Sequence, residues 1–170
     1  MIEISRARRV IVATLGLLVF ASCSAKDKTA VILDMIKKGA ESAERHHVGD
    51  LTAPASDDFV ALPGRYDVRT VKGILFRAFK YYGNFNILYP RPLVNLDEKS
   101  VNATATVYFV IVRKGHVFPG IQELYDDPQQ WVEAVGEKAD LYQLKLRFFE
   151  KNSDWRVKSA HLKPFTGFGF

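Results

Sequence analysis

The chain has 170 residues, with 24 Lys and Arg against 19 Asp and Glu, a formal net charge of +5. So small an excess, with no run of cations longer than two, excludes a nucleic-acid interface built on charge. The single cysteine, Cys23, excludes an intrachain disulfide framework and a cysteine-based metal site.

The first element in the chain is an export signal over residues 1–22. Arg6, Arg8 and Arg9 make a positive start, and Val10 to Ala21 is an apolar run of 12 residues. A membrane-crossing helix needs about 20 apolar residues, so this run is too short to be one. Ala21 and Ser22 are the small residues that a signal peptidase takes before its cut. Val19-Phe20-Ala21-Ser22-Cys23 resembles a bacterial lipobox, with Phe20 where leucine is usual. The resemblance implies cleavage after Ser22 and lipidation of the Cys23 thiol. Ser24 follows, not the aspartate that retains some lipoproteins in the inner membrane. An outer-membrane address facing the periplasm is therefore implied, with the membrane as the first partner. Cleavage leaves 148 residues with 21 basic and 18 acidic side chains, a net +3. That length suits one domain with one sizeable core. Residues 23–27 are expected as a short tether, which keeps the domain near the bilayer.

Residues 28–48 follow a helical pattern through Ile32, Met35, Ile36, Gly39, Ala43 and His46, with Gly49 as the expected stop. Between Leu51 and Asp58 one short helical turn is expected, broken by Pro54. Pro63-Gly64 interrupts the chain again. Asp67 is a candidate N-cap for a helix over 68–82, whose apolar stripe is Val68, Val71, Leu75, Ala78, Phe79 and Tyr82. Beyond Gly83 the period falls to two. Phe85, Ile87 and Tyr89 predict a strand that ends at Pro90 and Pro92. Val101, Ala103, Ala105, Val107, Phe109 and Ile111 predict a long strand with one buried face. Residues 114–138 form an insertion, with a helix over 128–136 started by Asp127-Pro128. Tyr142, Leu144, Leu146 and Phe148 predict a third strand. Asn152-Ser153-Asp154 turns it into a fourth, with Trp155, Val157, Ser159 and His161 on one face. The fold class is thus α+β, with a curved, mainly antiparallel four-stranded sheet packed on N-terminal helices. Trp155, Val157, Phe148, Leu146 and Phe109 are the expected inner-face core.

This order of elements resembles the nuclear transport factor 2-like superfamily, which includes ketosteroid isomerase and scytalone dehydratase. Gly49-Asp50, Asp57-Asp58-Phe59 before Pro63-Gly64, the helix to Tyr82, and Asp154-Trp155-Arg156-Val157 carry the resemblance over residues 28–163. It implies a cone: a sheet curved around helices with a pocket inside. A plain α+β sandwich is the other arrangement such a pattern allows. In the isomerases a base carboxylate stands directly before the Pro-Gly pair, where it reaches the substrate proton. Leu62 stands there in this chain. The oxyanion-donating tyrosine falls near Ser42. The resemblance therefore does not extend to that chemistry.

The remaining site candidates are few. His161, with Tyr142 and Tyr82, is the set that a pocket could use for acid–base work. Trp131, Tyr125, Phe118 and Trp155 are the candidate binding residues. His46-His47 at a helix end, His116 in the insertion and the adjacent Asp57-Asp58 each read as solvated or capping groups. No metal, cofactor or nucleic acid is expected. Neither a phosphate-binding glycine loop nor a nucleophile elbow occurs. The insertion reads as a lid or docking element, or else as cover for the sheet edge. The aromatic tail 164–170, with Phe165, Phe168 and Phe170, either folds back on the sheet or docks outward. The functional expectation is a lipid-anchored envelope protein that binds a partner protein or a small apolar ligand without catalysis. The alternative is a small lyase- or isomerase-like enzyme with a His/Tyr pair.

Overall fold

A computed structural model describes residues 24–99, 101–115, 117–136 and 139–165. Cys23, the signal segment, His116 and residues 166–170 lie outside the described residues. The order is α1 (Ser24–Glu44), α2 (Val48–Thr52), β1 (Ala55–Leu62), α3 (Val68–Tyr82), β2 (Phe85–Leu88), β3 (Leu93–Leu96), β4 (Asn102–Arg113), α4 (Pro128–Gly136), β5 (Leu141–Lys151) and β6 (Asp154–Phe165).

The first helix starts and ends earlier than its apolar pattern predicts. It begins at Ser24, inside the expected tether, and stops at Glu44. The stop comes from a tertiary contact and not from Gly49, which lies within α2. His46 turns to φ 61°, and its ring lies between Phe79 and Phe85, with centroids 5.2 and 5.3 Å away. Its Nε2 donates to the Gly83 carbonyl at 2.9 Å, tying the end of α1 to the end of α3. Glu44 accepts from the Ile87 amide at 2.7 Å, which fixes β2 to the same point.

The sheet has six strands, two more than the sequence pattern predicts. The first addition is β1, where a helical turn was expected. It runs parallel to β6, the order across the sheet being β1-β6-β5-β4-β2. Its burial does not alternate, and Asp57 and Asp58 sit exposed in its middle. Backbone pairing with β6 holds it where side-chain periodicity gives no signal. The second addition is β3, which pairs with residues 103–106 of β4 while β2 pairs with 110–113. The proline-bearing segment 89–92 separates them on that shared edge. The Arg91 amide there donates to the Tyr125 carbonyl at 2.7 Å.

The joint from β1 to α3 is a tight turn. Ala61 and Tyr66 exchange two backbone hydrogen bonds of 2.8 Å across Pro63-Gly64-Arg65. The Tyr66 ring lies over Gly64, where a Cβ would sit 2.1 Å from ring carbon Cζ, so only glycine leaves the ring its place. Asp67 caps α3 as predicted, its carboxylate accepting from the Thr70 amide at 2.7 Å.

Both sheet faces carry a core. On the inner face Ile32 and Ile36 of α1 pack on Ala103, Ala105, Val107, Phe148 and Trp155. Further along that face Phe79 and Phe85 pack with Ala43. The outer face carries Tyr108, Val110, Val112 and Leu141 under Phe118, Ile121, Trp131, Val132 and Val135. Burial along β4 therefore changes phase at Val107-Tyr108. The single buried face predicted for this strand holds only for its first half. The insertion covers the outer face of the sheet and meets its edge at Arg91, which bonds the Tyr125 carbonyl and pairs with Asp126 at 3.1 Å; it does not lie over the inner face. Phe148 and Trp155 are buried as expected, whereas Phe109, Leu146 and Val157 are half-buried.

Candidate functional site

The inner face is packed by α1 near the β5–β6 turn and by α3 along the far end of β4, and stays exposed beside them at Leu162 of β6. α1 closes the end near the β5–β6 turn, where Lys28 pairs with Glu150 at 2.5 Å and its ammonium stands 6.0 Å from the Trp155 ring centroid. Trp155 is 5% exposed, so this candidate binding residue belongs to the core. Towards the far end of β4 and β5, strand register brings different side chains together. Phe109 pairs with Tyr142, and Tyr142 with Pro164; Val107 pairs with Leu144, and Leu144 with Leu162. Directly paired residues in neighbouring strands share a face, so Phe109, Tyr142, Leu144 and Leu162 all look inward. The rings of Phe109 and Tyr142 stack, centroids 5.5 Å apart at 26°. Tyr82, from the last turn of α3, reaches Tyr142 through a side-chain hydrogen bond.

This mouth is apolar, aromatic and open. Leu162 is 46% exposed and Tyr82 40%. Its polar groups include the two phenol hydroxyls. A hydrogen bond to Tyr82 pushes the Tyr142 hydroxyl above its ordinary pKa, and burial and the Asp140 charge push it the same way. Tyr142 is therefore a neutral hydrogen-bonding group at physiological pH and not a base.

His161 is not in this mouth. A β-bulge at Lys158 shifts the β5–β6 register between the Phe148–Val157 pair and the Arg147–Ser159 pair. A one-residue slip turns every later side chain to the other face. Trp155 and Val157 thus face inward, while His161 pairs with Lys145 and Leu62 on the outer face. The expected grouping of His161 with Tyr142 and Tyr82 is corrected accordingly: only the two tyrosines meet. No sequence signal marks this bulge. Leu162, which the slip turns inward, was not among the candidates for the same reason. Leu62, at the position of the isomerase base, also looks outward.

The candidate binding residues of the insertion divide. Trp131 and Phe118 are 2% and 9% exposed in the outer-face core. Tyr125 is 43% exposed and anchored through its carbonyl to Arg91. A cleft of about 180 Å³ opens between residues 118–121 and Ala134-Val135, lined by that core's own side chains. Ser42, at the place of the oxyanion donor, is buried. Among the described residues there is no cluster of three or more His, Cys, Asp or Glu groups fit for a metal ion. Nor is any helix among them long and apolar enough to cross a membrane.

No protein-family model and no curated protein matches the chain. Solved structures match it in fold. An NTF2-like protein with a cystatin-like fold from Novosphingobium aromaticivorans is 12% identical over 98% of this chain and 94% of its own, with a TM-score of 0.57. A protein of unknown function with a cystatin-like fold from Nostoc punctiforme is 10% identical over 84% of this chain and 93% of its own, with a TM-score of 0.59. Bd1075 of Bdellovibrio bacteriovorus is 8% identical over 80% of this chain, with a TM-score of 0.57, and the chain spans 40% of its length. At such identities the likeness concerns the fold. The chain folds as a nuclear transport factor 2-like cone, the α+β class its order of elements resembles.

Proposed function

We propose that this is an exported protein, anchored in the cell envelope through a lipidated Cys23, that binds a small apolar ligand without transforming it. The observation that carries the binding reading is the mouth of the cone. Phe109, Tyr142, Leu144, Leu162 and Tyr82 offer apolar and aromatic surface, and the tyrosine hydroxyls offer orientation. Concave apolar sites with a few placed polar groups are the usual form of small-molecule sites. A small patch of this kind, with two hydroxyls beside it, suits a small ligand better than an extended protein interface. The non-catalytic reading rests on what faces the mouth. Proton abstraction needs a base within hydrogen-bond reach of the substrate. Leu62 replaces the carboxylate, and His161 points to the other side of the sheet. The lyase- or isomerase-like alternative therefore loses the histidine it depended on.

The anchoring reading rests on the sequence around Cys23, and Ser24 favours an outer-membrane location facing the periplasm. Two measurements test the proposal. Intact-mass analysis is expected to find acyl chains on an N-terminal Cys23, and Cys23→Ser is expected to leave the protein unprocessed or released from membranes. Photolabelling with an apolar diazirine, followed by peptide mapping, is expected to mark the β5 and β6 peptides that carry Tyr142 and Leu162. Labelling that avoids both peptides rejects the mouth as a binding site.

A further inference from the structure

α3 carries a surface that the mouth does not use. The helix contains Arg69, Lys72, Arg77 and Lys80 and no acidic residue, a local charge of +4. The mature chain nets only +3, so everything outside α3 sums to −1. Elsewhere on the described surface Lys38, Arg45, Arg91, Arg156 and Lys158 each pair with a carboxylate, while others such as Lys37, Lys99 and Lys145 do not, so what sets α3 apart is that its cations cluster on one helix. Among the described residues Lys72, Arg77 and Lys80 have no such partner. Two large aromatics share this face, Phe76 at 67% exposure and Tyr81 at 83%. At 3.6 residues per turn they stand about 140° apart around the helix, with Arg69, Lys80 and Arg77 between them. The opposite side of α3 packs inward through Phe79, its one buried side chain.

We propose that this face of α3 docks on an anionic lipid bilayer. Phenyl and phenol rings favour the membrane–water interface, and long basic side chains reach headgroups while their stems cover apolar surface. Each Lys or Arg near an anionic leaflet strengthens partitioning about fivefold. A second copy of the chain is a poor occupant, because two α3 faces would oppose three cations, Arg69, Arg77 and Lys80, to three. The face is also a convex helix surface without a groove, which suits a plane of headgroups better than an inserted peptide. A chain held both at Cys23 and at α3 would lie with α1, about 31 Å long, along the bilayer. The inference draws on the anchoring proposal for proximity alone, and the test reads the two separately.

The experiment uses the full chain, reconstituted in vesicles of phosphatidylcholine with or without phosphatidylglycerol, with lipids brominated on their acyl chains as quenchers. Phe76→Trp places a reporter on α3, while the native Trp131 and Trp155 are buried and supply the background. Phe76→Trp is expected to be quenched beyond the wild-type level in phosphatidylglycerol vesicles only. High salt, or Arg77→Glu with Lys80→Glu, is expected to abolish the difference at an unchanged denaturation midpoint. Quenching at the wild-type level in both vesicles overturns the proposal, as does quenching indifferent to lipid charge and salt. Intact mass of the same sample reports acylation of Cys23, so loss of the anchor is a distinct result.

Discussion

His46 shows how one side chain can move an element boundary. Its neighbours in sequence predict a helix that runs on to Gly49, and a cation near a helix C-terminus is a familiar surface role. The residue instead takes a left-handed φ of 61° so that its ring can pack between Phe79 and Phe85 and its Nε2 can bind Gly83. Nothing within ten residues of His46 reports that partner, so the contact was not legible in sequence. His46→Ala removes a hydrogen bond and two ring contacts while keeping the unfavourable φ. It is expected to cost about 2 kcal/mol, read as a shift of the urea midpoint. Tyr142 gives a pH test at the same scale. Its pKa is raised in the fold, so its contribution to stability is complete below the ordinary tyrosine value of about 10 and is lost as pH rises through the higher folded value. Tyr82→Phe removes the leading cause. Alkaline titration of phenolate absorbance should then show one tyrosine moving down towards about 10.

Among the elements, legibility followed side-chain periodicity. β4, β5 and β6 alternate strongly, and α3 shows both a cap and a stripe; all four appear where the pattern predicts them. β1 and β3 do not alternate over enough residues to be seen, and only pairing with β6 and β4 makes them strands. The bulge at Lys158 is invisible for a related reason. It conserves apparent alternation while exchanging the faces, and so it misplaced His161 and hid Leu162. The insertion, expected as a lid or as cover for the sheet edge, touches that edge at Arg91 but spends most of its apolar side chains elsewhere. It makes a second core on the outer face, where Trp131, Val132 and Val135 are all at most 2% exposed. Trp131→Ala is therefore expected to cost about 3–5 kcal/mol, comparable with Phe148→Ala on the inner face. Replacing 117–136 by a short linker would bare Val110, Val112 and Leu141, and the product should be unfolded or insoluble. A soluble product with a cooperative transition would show that the insertion is dispensable cover.

For the molecule as a whole, the order of helices and strands carried the fold through sequence identities too low to carry anything else. The cone explains why chemistry and binding can be separated. Its inner face narrows onto α1 at one end and, beside α3, opens at the other onto apolar surface with two tyrosine hydroxyls. The positions that would add a base are filled by Leu62 or turned away with His161. The open end is proposed to hold a small apolar ligand. The most direct test is solvent extraction of the protein purified from its own cells, with mass spectrometry of the extract, for wild type and Leu162→Glu. Leu162 is 46% exposed, so the substitution should leave the denaturation midpoint nearly unchanged while placing a charge in the mouth. One apolar species is expected in near-stoichiometric amount from the wild type and is expected to be lost from Leu162→Glu. Equal recovery from both proteins, or none from either, would contradict it.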